Sequence, residues 1–162
     1  MRLSSHGLSA VLPSGWEGAF TTAREAPAVR TAAGVTTRAV PSLPTLHLAN
    51  FALPPDRGDF GSGAVDVMGA RHAFVSVLEY GPECVGTALF SEAGLPRHLT
   101  AGDFSPRALQ RTRSGQAGLQ VFFTEAGRAF CLYVVLGHRG NAATLAGEVS
   151  RTLANVTIGP AA

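Results

Sequence analysis

The chain contains no lysine, and each of its 13 basic side chains is an arginine. Since alanine and glycine are also frequent, this indicates mainly a GC-rich coding bias; the functional alternative is arginine used for bidentate anion binding. The arginines are scattered, and only Arg107, Arg111 and Arg113 come close together. A formal net charge of +2 is too small to predict a nucleic-acid partner, so an anion contact through these three residues stays an alternative.

Long apolar runs are also absent. The longest, Ala129 to Leu136, is less than half as long as a bilayer-spanning helix must be. The first stretch, MRLSSHGLSAVLPSGW, has one arginine and only short apolar pieces, and it lacks the apolar core of a secretory signal. We therefore expect a cytoplasmic protein with no membrane span.

Cysteine is scarce, and the residues of common catalytic and metal motifs are not grouped. Neither Cys84 nor Cys131 has a partner at zinc or redox spacing. Cys131 lies in an apolar run and is predicted to be a buried small hydrophobe, with a disulfide as the alternative if the chain is exported. The glycines of residues 58–63 follow two prolines rather than a strand, so no phosphate loop is predicted. We expect no catalytic residue, cofactor or metal.

The clearest feature present is the stretch from Gly118 to Gly137. It predicts two strands, Leu119 to Thr124 and Ala129 to Leu136, joined at Ala126-Gly127. The second strand is apolar almost throughout, which is typical of a strand covered on both faces. A length of 162 residues with 46% hydrophobic and 15% charged residues predicts one folded domain.

The first half of the chain predicts further strands. Leu8 to Leu12 and Trp16 to Phe20 are predicted to pair as a hairpin around Pro13-Ser14-Gly15, with Trp16 capping the core. Thr21 to Thr45 shows no period and is predicted to be a long excursion, either a functional loop or a poorly ordered insertion. Two more strands are expected at Leu46 to Leu53 and Ala73 to Tyr80.

The second half predicts one convincing helix. Asn141 is a suitable N-cap, and Leu145, Val149 and Leu153 recur on one face, with Glu148 and Arg151 on the solvent side. Shorter elements are predicted in the remaining segments: helical turns at Val65 to Met68 and after Ser105-Pro106, and short strands at Thr87 to Phe90 and Asn155 to Ile158. The expected class is α+β, with an antiparallel sheet flanked by helices.

The stretch Leu12 to Trp16, LPSGW, ends the first predicted strand with a Pro-x-Gly-Trp turn. With the long variable region, apolar hairpin, terminal helix and short last strand that follow, the chain resembles the PsbP-like fold. That fold is an α/β/α sandwich shared by a photosystem extrinsic protein and a Ran-binding nuclear import factor. The chain also resembles uncharacterised actinobacterial proteins. The resemblance implies a non-catalytic binding or accessory role and matches no functional residue of the family to this chain.

We therefore expect a protein-interaction or assembly domain of a bacterial complex. Its partner is another protein or a second copy of itself, paired through sheet edges. Besides the excursion, the expected contact surface comprises the glycine-rich acidic loop at 56–63 and the arginines that follow later: Arg57, Asp59, Phe60, Arg107, Arg111 and Arg113.

The alternative is a small ligand-binding domain or enzyme with a pocket between sheet and helix. Glu79, Arg128 and His138 are the residues that would line it, because they lie at ends of apolar strands. The ordinary explanation of Glu79 is a salt bridge to an arginine, and that of His138 is a loop position.

Overall fold

A computed structural model describes residues 1–22 and 43–161. In chain order the strands are β1 (Arg2–Ser5), β2 (Leu8–Val11), β3 (Glu17–Thr22), β4 (Pro44–Ala49), β5 (Ala73–Tyr80), β6 (Ala117–Glu125), β7 (Arg128–Leu136) and β8 (Val156–Ile158). This part of the chain contains one α-helix, α1 (Ala142–Leu153). Its short 3₁₀ turns are Val65–Val67, Pro82–Cys84, Ala88–Phe90, Ala101–Asp103, Pro106–Ala108 and Arg139–Asn141.

The strands form two antiparallel sheets, so the fold is of the α+β class. The large sheet has the order β3-β4-β5-β7-β6, and the small sheet has the order β1-β2-β8. The longest pairings are those of β7 with β5 and β6, which place Val134 beside both Val75 and Leu119. The apolar strand β7 is therefore the centre of the large sheet's core.

The two faces of the large sheet are covered differently. The helix face, which carries Leu48, Val75 and Val134, shares one apolar core with α1 and with the small sheet. The opposite loop face, which carries Phe74, Tyr133 and Val135, packs against side chains from irregular segments. Those segments are residues 50–72 and 104–116. Both faces are thus buried, which explains why β7 is apolar at almost every position.

Helix α1 forms where its apolar period predicts it. Leu145, Val149 and Leu153 are buried on the helix face. Asn141 occupies the predicted N-cap position, but its side chain makes no capping bond. Its Nδ2 donates instead to the carbonyl oxygen of Ala70 at 2.9 Å, which ties the start of α1 to the end of the 50–72 segment.

The predicted hairpin of Leu8–Leu12 with Trp16–Phe20 is wrong. Strand β2 pairs with β1 and β8 in the small sheet, whereas β3 pairs with β4 in the large one. The hairpin forms one step earlier, because His6 (φ 53°) and Gly7 (φ 78°) make a tight turn between β1 and β2. Arg2–Ser5 is too polar to stand out as a strand in the sequence.

Most later elements agree with the sequence. The β6–β7 hairpin is confirmed, with Ala126 (φ 54°) and Gly127 (φ 72°) at its turn. The helical turns at Val65–Val67 and Pro106–Ala108 are also confirmed. The strand predicted at Thr87–Phe90 is wrong, since Ala88–Phe90 is a 3₁₀ turn.

The predicted excursion at 21–45 falls mainly on residues 23–42, which lie outside the described residues. Its two ends belong to paired strands, because Thr21 pairs with Thr45 in the β3–β4 ladder. Both cysteines are free thiols, and Cys131 is buried as predicted. Burial raises the pKa of the Cys131 thiol to about 11, so this thiol is protonated at neutral pH.

Candidate functional site: a groove along the terminal helix

Glu79 and Arg128 form a buried ion pair on the helix face. Nε and Nη2 of Arg128 donate to the two carboxylate oxygens of Glu79 at 2.8 and 2.7 Å. The guanidinium also donates to the carbonyl oxygens of His6 and Gly159, both at 2.9 Å. Arg128 thus ties one end of the small sheet, where the β1–β2 turn lies beside the residue that follows β8, to the large sheet. Its donors are occupied by its own chain.

His138 lies far from this pair. It follows the end of β7, whereas Arg128 begins that strand, and nine extended residues span about 30 Å. The His138 side chain is exposed, and its Nδ1 accepts a hydrogen bond from the amide of Gly140 at 2.9 Å. The structure therefore does not bring Glu79, Arg128 and His138 together, and it confirms the ordinary explanation for each.

The loop at 56–63 is fastened to the loop face by a buried histidine, which we call the His47 latch. Nδ1 of His47 accepts a hydrogen bond from Nε of Arg57 at 2.7 Å, and Nε2 donates to the carbonyl oxygen of Asp59 at 2.9 Å. Ser76 Oγ donates to the same carbonyl oxygen at 2.6 Å. Burial lowers the pKa of His47 to about 4, so the imidazole is neutral at pH 7.

Three of the six residues predicted to form the contact surface, Arg57, Asp59 and Phe60, lie in the loop that the latch holds. Arg57 is half-buried, since its Nη1 donates to the Pro54 carbonyl oxygen at 2.9 Å in addition to the bond with His47. Phe60 is half-buried and packs edge-on against Tyr133 with ring centroids 5.3 Å apart. Only the Asp59 side chain is exposed.

The three arginines of the other half do not form a cluster of free cations. Nη1 of Arg113 pairs with Asp66 Oδ1. Arg107 and Arg111 are exposed on the 104–116 segment. Arg107 and Arg111 are therefore the two of these arginines that present their side chains to solvent.

A concave surface runs beside α1. Two adjoining cavities of about 590 and 350 Å³ share Glu148 in their lining. The helix side of both is one stripe of residues spaced three and four apart: Asn141, Thr144, Glu148, Arg151 and Asn155. Such spacing places side chains on one line along a helix. We call this surface, together with its opposite wall, the α1 groove.

The opposite wall comes from three loops. The turn Pro13–Trp16, between β2 and β3, lines the larger cavity, with the Trp16 indole anchored in the core behind it. Asn50 follows β4 and also lines the larger cavity, and Arg71 precedes β5 and lines the smaller one. The β2–β3 turn that the sequence assigned to a hairpin therefore forms part of the candidate site.

Asn50 fixes the middle of the groove. Its Nδ2 donates to Glu148 Oε2 at 3.3 Å and to the Arg71 carbonyl oxygen at 3.0 Å. Its Oδ1 accepts from the amide of Ala73 at 2.7 Å. This holds Glu148 and the Arg71 backbone against each other. Glu148 Oε1 makes no hydrogen bond within the described part of the chain.

Sequence reasoning found only part of this site. It assigned Glu148 and Arg151 to the solvent side of the helix and Trp16 to the core. The available signal was the polar stripe that begins at Asn141 and ends at Asn155, next to the apolar one. Asn50 and Arg71 carry no such signal, since only the pairing of β4 with β5 places them beside α1.

No protein-family model, curated protein or solved structure matches this chain. Over residues 1–22 and 43–161, no helix has both the length and the apolar character needed to cross a membrane. Within those same ranges, no three His, Cys, Asp or Glu side chains come together in a way that could hold a metal ion.

Proposed function

We propose that the protein is an interaction domain that binds an extended segment of another protein in the α1 groove. The observation that carries this is that two cavities meet at Glu148 and together follow one side of α1 from end to end. Asn141 precedes α1 and Asn155 lies just beyond its end; at the rise of an α-helix they are about 21 Å apart, the length of roughly six extended residues. A segment of this length fits the whole groove, whereas a compact ligand fills one cavity.

The lining suits a polypeptide. Thr144 and Asn155 carry hydrogen-bonding groups that can meet a peptide main chain, and Glu148 and Arg151 can meet charged side chains. The protein side is largely fixed before binding, because Asn50 braces Glu148 and α1 is anchored in the core. A preorganised surface loses less conformational entropy when a segment binds.

The wider proposal keeps a non-catalytic, PsbP-like accessory protein of the cytoplasm. In support, the LPSGW stretch that carries the resemblance directly follows β2, and its residues Pro13–Trp16 supply a wall of the groove. Two free cysteines fit a reducing compartment.

A phage-displayed library of random linear 12-mers, panned on the purified full chain, tests the proposal. Thr144 is exposed in the groove, so Thr144→Trp fills the smaller cavity without disturbing the core. Ala143→Trp adds the same side chain at an exposed position outside the groove and is the matched control. We expect peptides enriched on the wild type to bind Thr144→Trp at least about tenfold more weakly and Ala143→Trp almost unchanged.

Three outcomes would overturn the proposal. The first is that no peptide is enriched, and the second is that the enriched peptides bind Thr144→Trp as well as the wild type. The third comes from light scattering of the free protein: a dimer that Thr144→Trp dissociates would make a second copy of the chain the occupant.

A small-molecule site is the second candidate. The larger cavity, at about 590 Å³, has the size of ordinary ligand sites and presents Trp16, Asn50 and Arg151. Because Thr144 lines only the smaller cavity, Thr144→Trp separates the two functions. A fragment library screened by ligand-observed NMR would give hits that bind the wild type and Thr144→Trp equally, while no peptide is enriched.

A further inference from the structure

We propose that the segment bound in the α1 groove carries an acidic, a basic and a second acidic side chain at alternate positions. This inference rests on the proposed function and names the class of partner. It comes from the order of charges along the groove. Arg71 lines only the smaller cavity, Glu148 lines both, and Arg151 lines only the larger. The charges therefore run positive, negative, positive from one end of the groove to the other.

These three charges are not neutralised by the rest of the described chain. The ion pairs within residues 1–22 and 43–161 join Arg97 to Glu125, Arg113 to Asp66 and Arg128 to Glu79. Arg71, Glu148 and Arg151 take part in none of them. Glu148 and Arg151 are three positions apart on α1, yet they do not form an ion pair. As far as residues 1–22 and 43–161 are concerned, each charge is therefore available to a bound segment.

The geometry of an extended chain sets the spacing of the pattern. Alternate residues of a strand point to the same side and lie about 7 Å apart, so three of them cover about 14 Å. Arg71 lines the smaller cavity together with Thr144, and the helix rises about 10 Å from Thr144 to Arg151. The long arginine side chains extend the distance between the two positive charges beyond this rise. The pattern is the same read in either direction, so it holds for both orientations of the bound segment.

The charge pattern contributes mainly to the specificity of binding, that is, to the choice between peptides. Exposed ion pairs are individually weak, so three of them distinguish a matched from a mismatched peptide by about tenfold. The same charges disfavour the pattern with the signs reversed, basic-acidic-basic, because each groove charge would then face a like charge.

Fluorescence polarisation with labelled seven-residue peptides tests the inference. The matched peptide has the sequence Thr-Glu-Thr-Lys-Thr-Glu-Thr, and the scrambled peptide has the same composition in another order. The reversed peptide has the signs of the charges exchanged, Thr-Lys-Thr-Glu-Thr-Lys-Thr. We expect the scrambled peptide to bind about tenfold more weakly than the matched one, and the reversed peptide more weakly still. Raising the salt concentration reduces these differences.

A charge exchange shows which residue meets which end. Arg151→Glu weakens binding of the matched peptide, and replacing a glutamate of the peptide by lysine restores binding. One of the two glutamates restores it if the segment binds in a single orientation, and both do if it binds in either; restoration by neither contradicts the charge pattern. Arg107→Glu makes the same change of net charge at an exposed site outside the groove and leaves the order of the peptides unchanged.

The two proposals fail differently. If peptides bind and Thr144→Trp abolishes their binding, but matched and scrambled peptides bind alike, the charge pattern is wrong and the groove function stands. If the peptides bind Thr144→Trp as well as the wild type, the groove function fails and the pattern fails with it.

Discussion

The two faces of the large sheet solve the same problem of burial in different ways. The helix face is covered by a regular helix and a second sheet, whose backbone groups bond within their own elements, so it needs few polar side chains. The loop face is covered by segments 50–72 and 104–116, whose irregular backbone must find partners elsewhere. Buried backbone groups without a partner are costly, and the sheet supplies the partners from its own side chains.

The polar residues of the loop face follow from this need. His47 and Ser76 both bond the Asp59 carbonyl oxygen, and Tyr133 Oη accepts from the amide of Gln110 at 2.8 Å. Gln116 Nε2 donates to the Val65 carbonyl oxygen at 3.0 Å, which joins the two loops. A buried histidine, serine and tyrosine could be mistaken for a catalytic group, but each bonds the backbone of a covering loop. Polar side chains buried under a loop should therefore first be tested as hydrogen-bond partners of that loop's backbone, before a catalytic role is considered.

The largest expected effect comes from the Glu79–Arg128 ion pair, which is buried on the helix face. Arg128→Met would leave Glu79 as an unpaired buried carboxylate, and we expect the free energy of unfolding to fall by about 3 to 5 kcal/mol. Urea denaturation measures this. Arg113→Met, which breaks an ion pair whose side chains are both 39% exposed, should cost less than about 1 kcal/mol. Equal losses in the two variants would show that Arg128 is not a structural tie.

The His47 latch predicts that the free energy of unfolding depends on pH through one buried residue of the loop face. The pKa of His47 is about 4 in the folded protein and about 6.5 when unfolded, so the unfolded chain binds more protons between these values. Stability should therefore fall as the pH drops from 6.5 to 4, by about 3 kcal/mol from this residue. His47→Gln removes that contribution. Urea denaturation at several pH values measures the free energy of unfolding of both proteins. If it changes with pH in parallel for the wild type and His47→Gln, the latch is contradicted.

Tyr133→Phe tests a single bond of the loop face. Tyr133 is buried, and loss of its hydroxyl removes the bond to the Gln110 amide, at a cost of about 1 kcal/mol. Hydrogen exchange should quicken in the 104–116 segment more than in α1. Tyr80→Phe is the control, because the Tyr80 hydroxyl has no hydrogen-bond partner in the described residues, and its effect should be smaller than about 0.5 kcal/mol.

The smallest effect belongs to the regular cover of the helix face. Gly147 lies inside α1, and a methyl group there would meet Arg151 Nη1 at 3.5 Å, an ordinary contact. Gly147→Ala should raise the free energy of unfolding by about 0.5 to 1 kcal/mol, because alanine favours helix more than glycine does. Ala143→Gly should lower it by a similar amount. Thermal unfolding measures both, and no change in either variant would indicate that helix propensity does not limit stability here.

The same comparison explains what could be predicted from the sequence. The β6–β7 hairpin and α1 have strong local periods, since Leu145, Val149 and Leu153 repeat at helical spacing beside an apolar strand. The predicted β2–β3 hairpin was wrong because the turn at Pro13–Trp16 indicates that the chain changes direction but not which strands pair. Only the return of β8 to β2, from the far end of the chain, decides that pairing.

The site was harder to predict than the fold. Glu79 was expected to pair with an arginine, which is confirmed, but the sequence does not show that Arg128 is the partner. The groove depends on contacts between distant residues, such as Asn50 with Glu148, and no local pattern reports them. The residues singled out for their chemistry, such as Arg57 and His138, instead serve the backbone of their own chain.

Hydrogen–deuterium exchange of the full chain with and without a peptide selected from the library tests the central claim most directly. The account predicts that exchange slows at residues 13–16 and along residues 142–155, while residues 54–66 and 104–116 exchange as before. Protection confined to those two loop-face segments, with α1 unchanged, would contradict it, because the binding surface would then lie on the opposite face of the sheet.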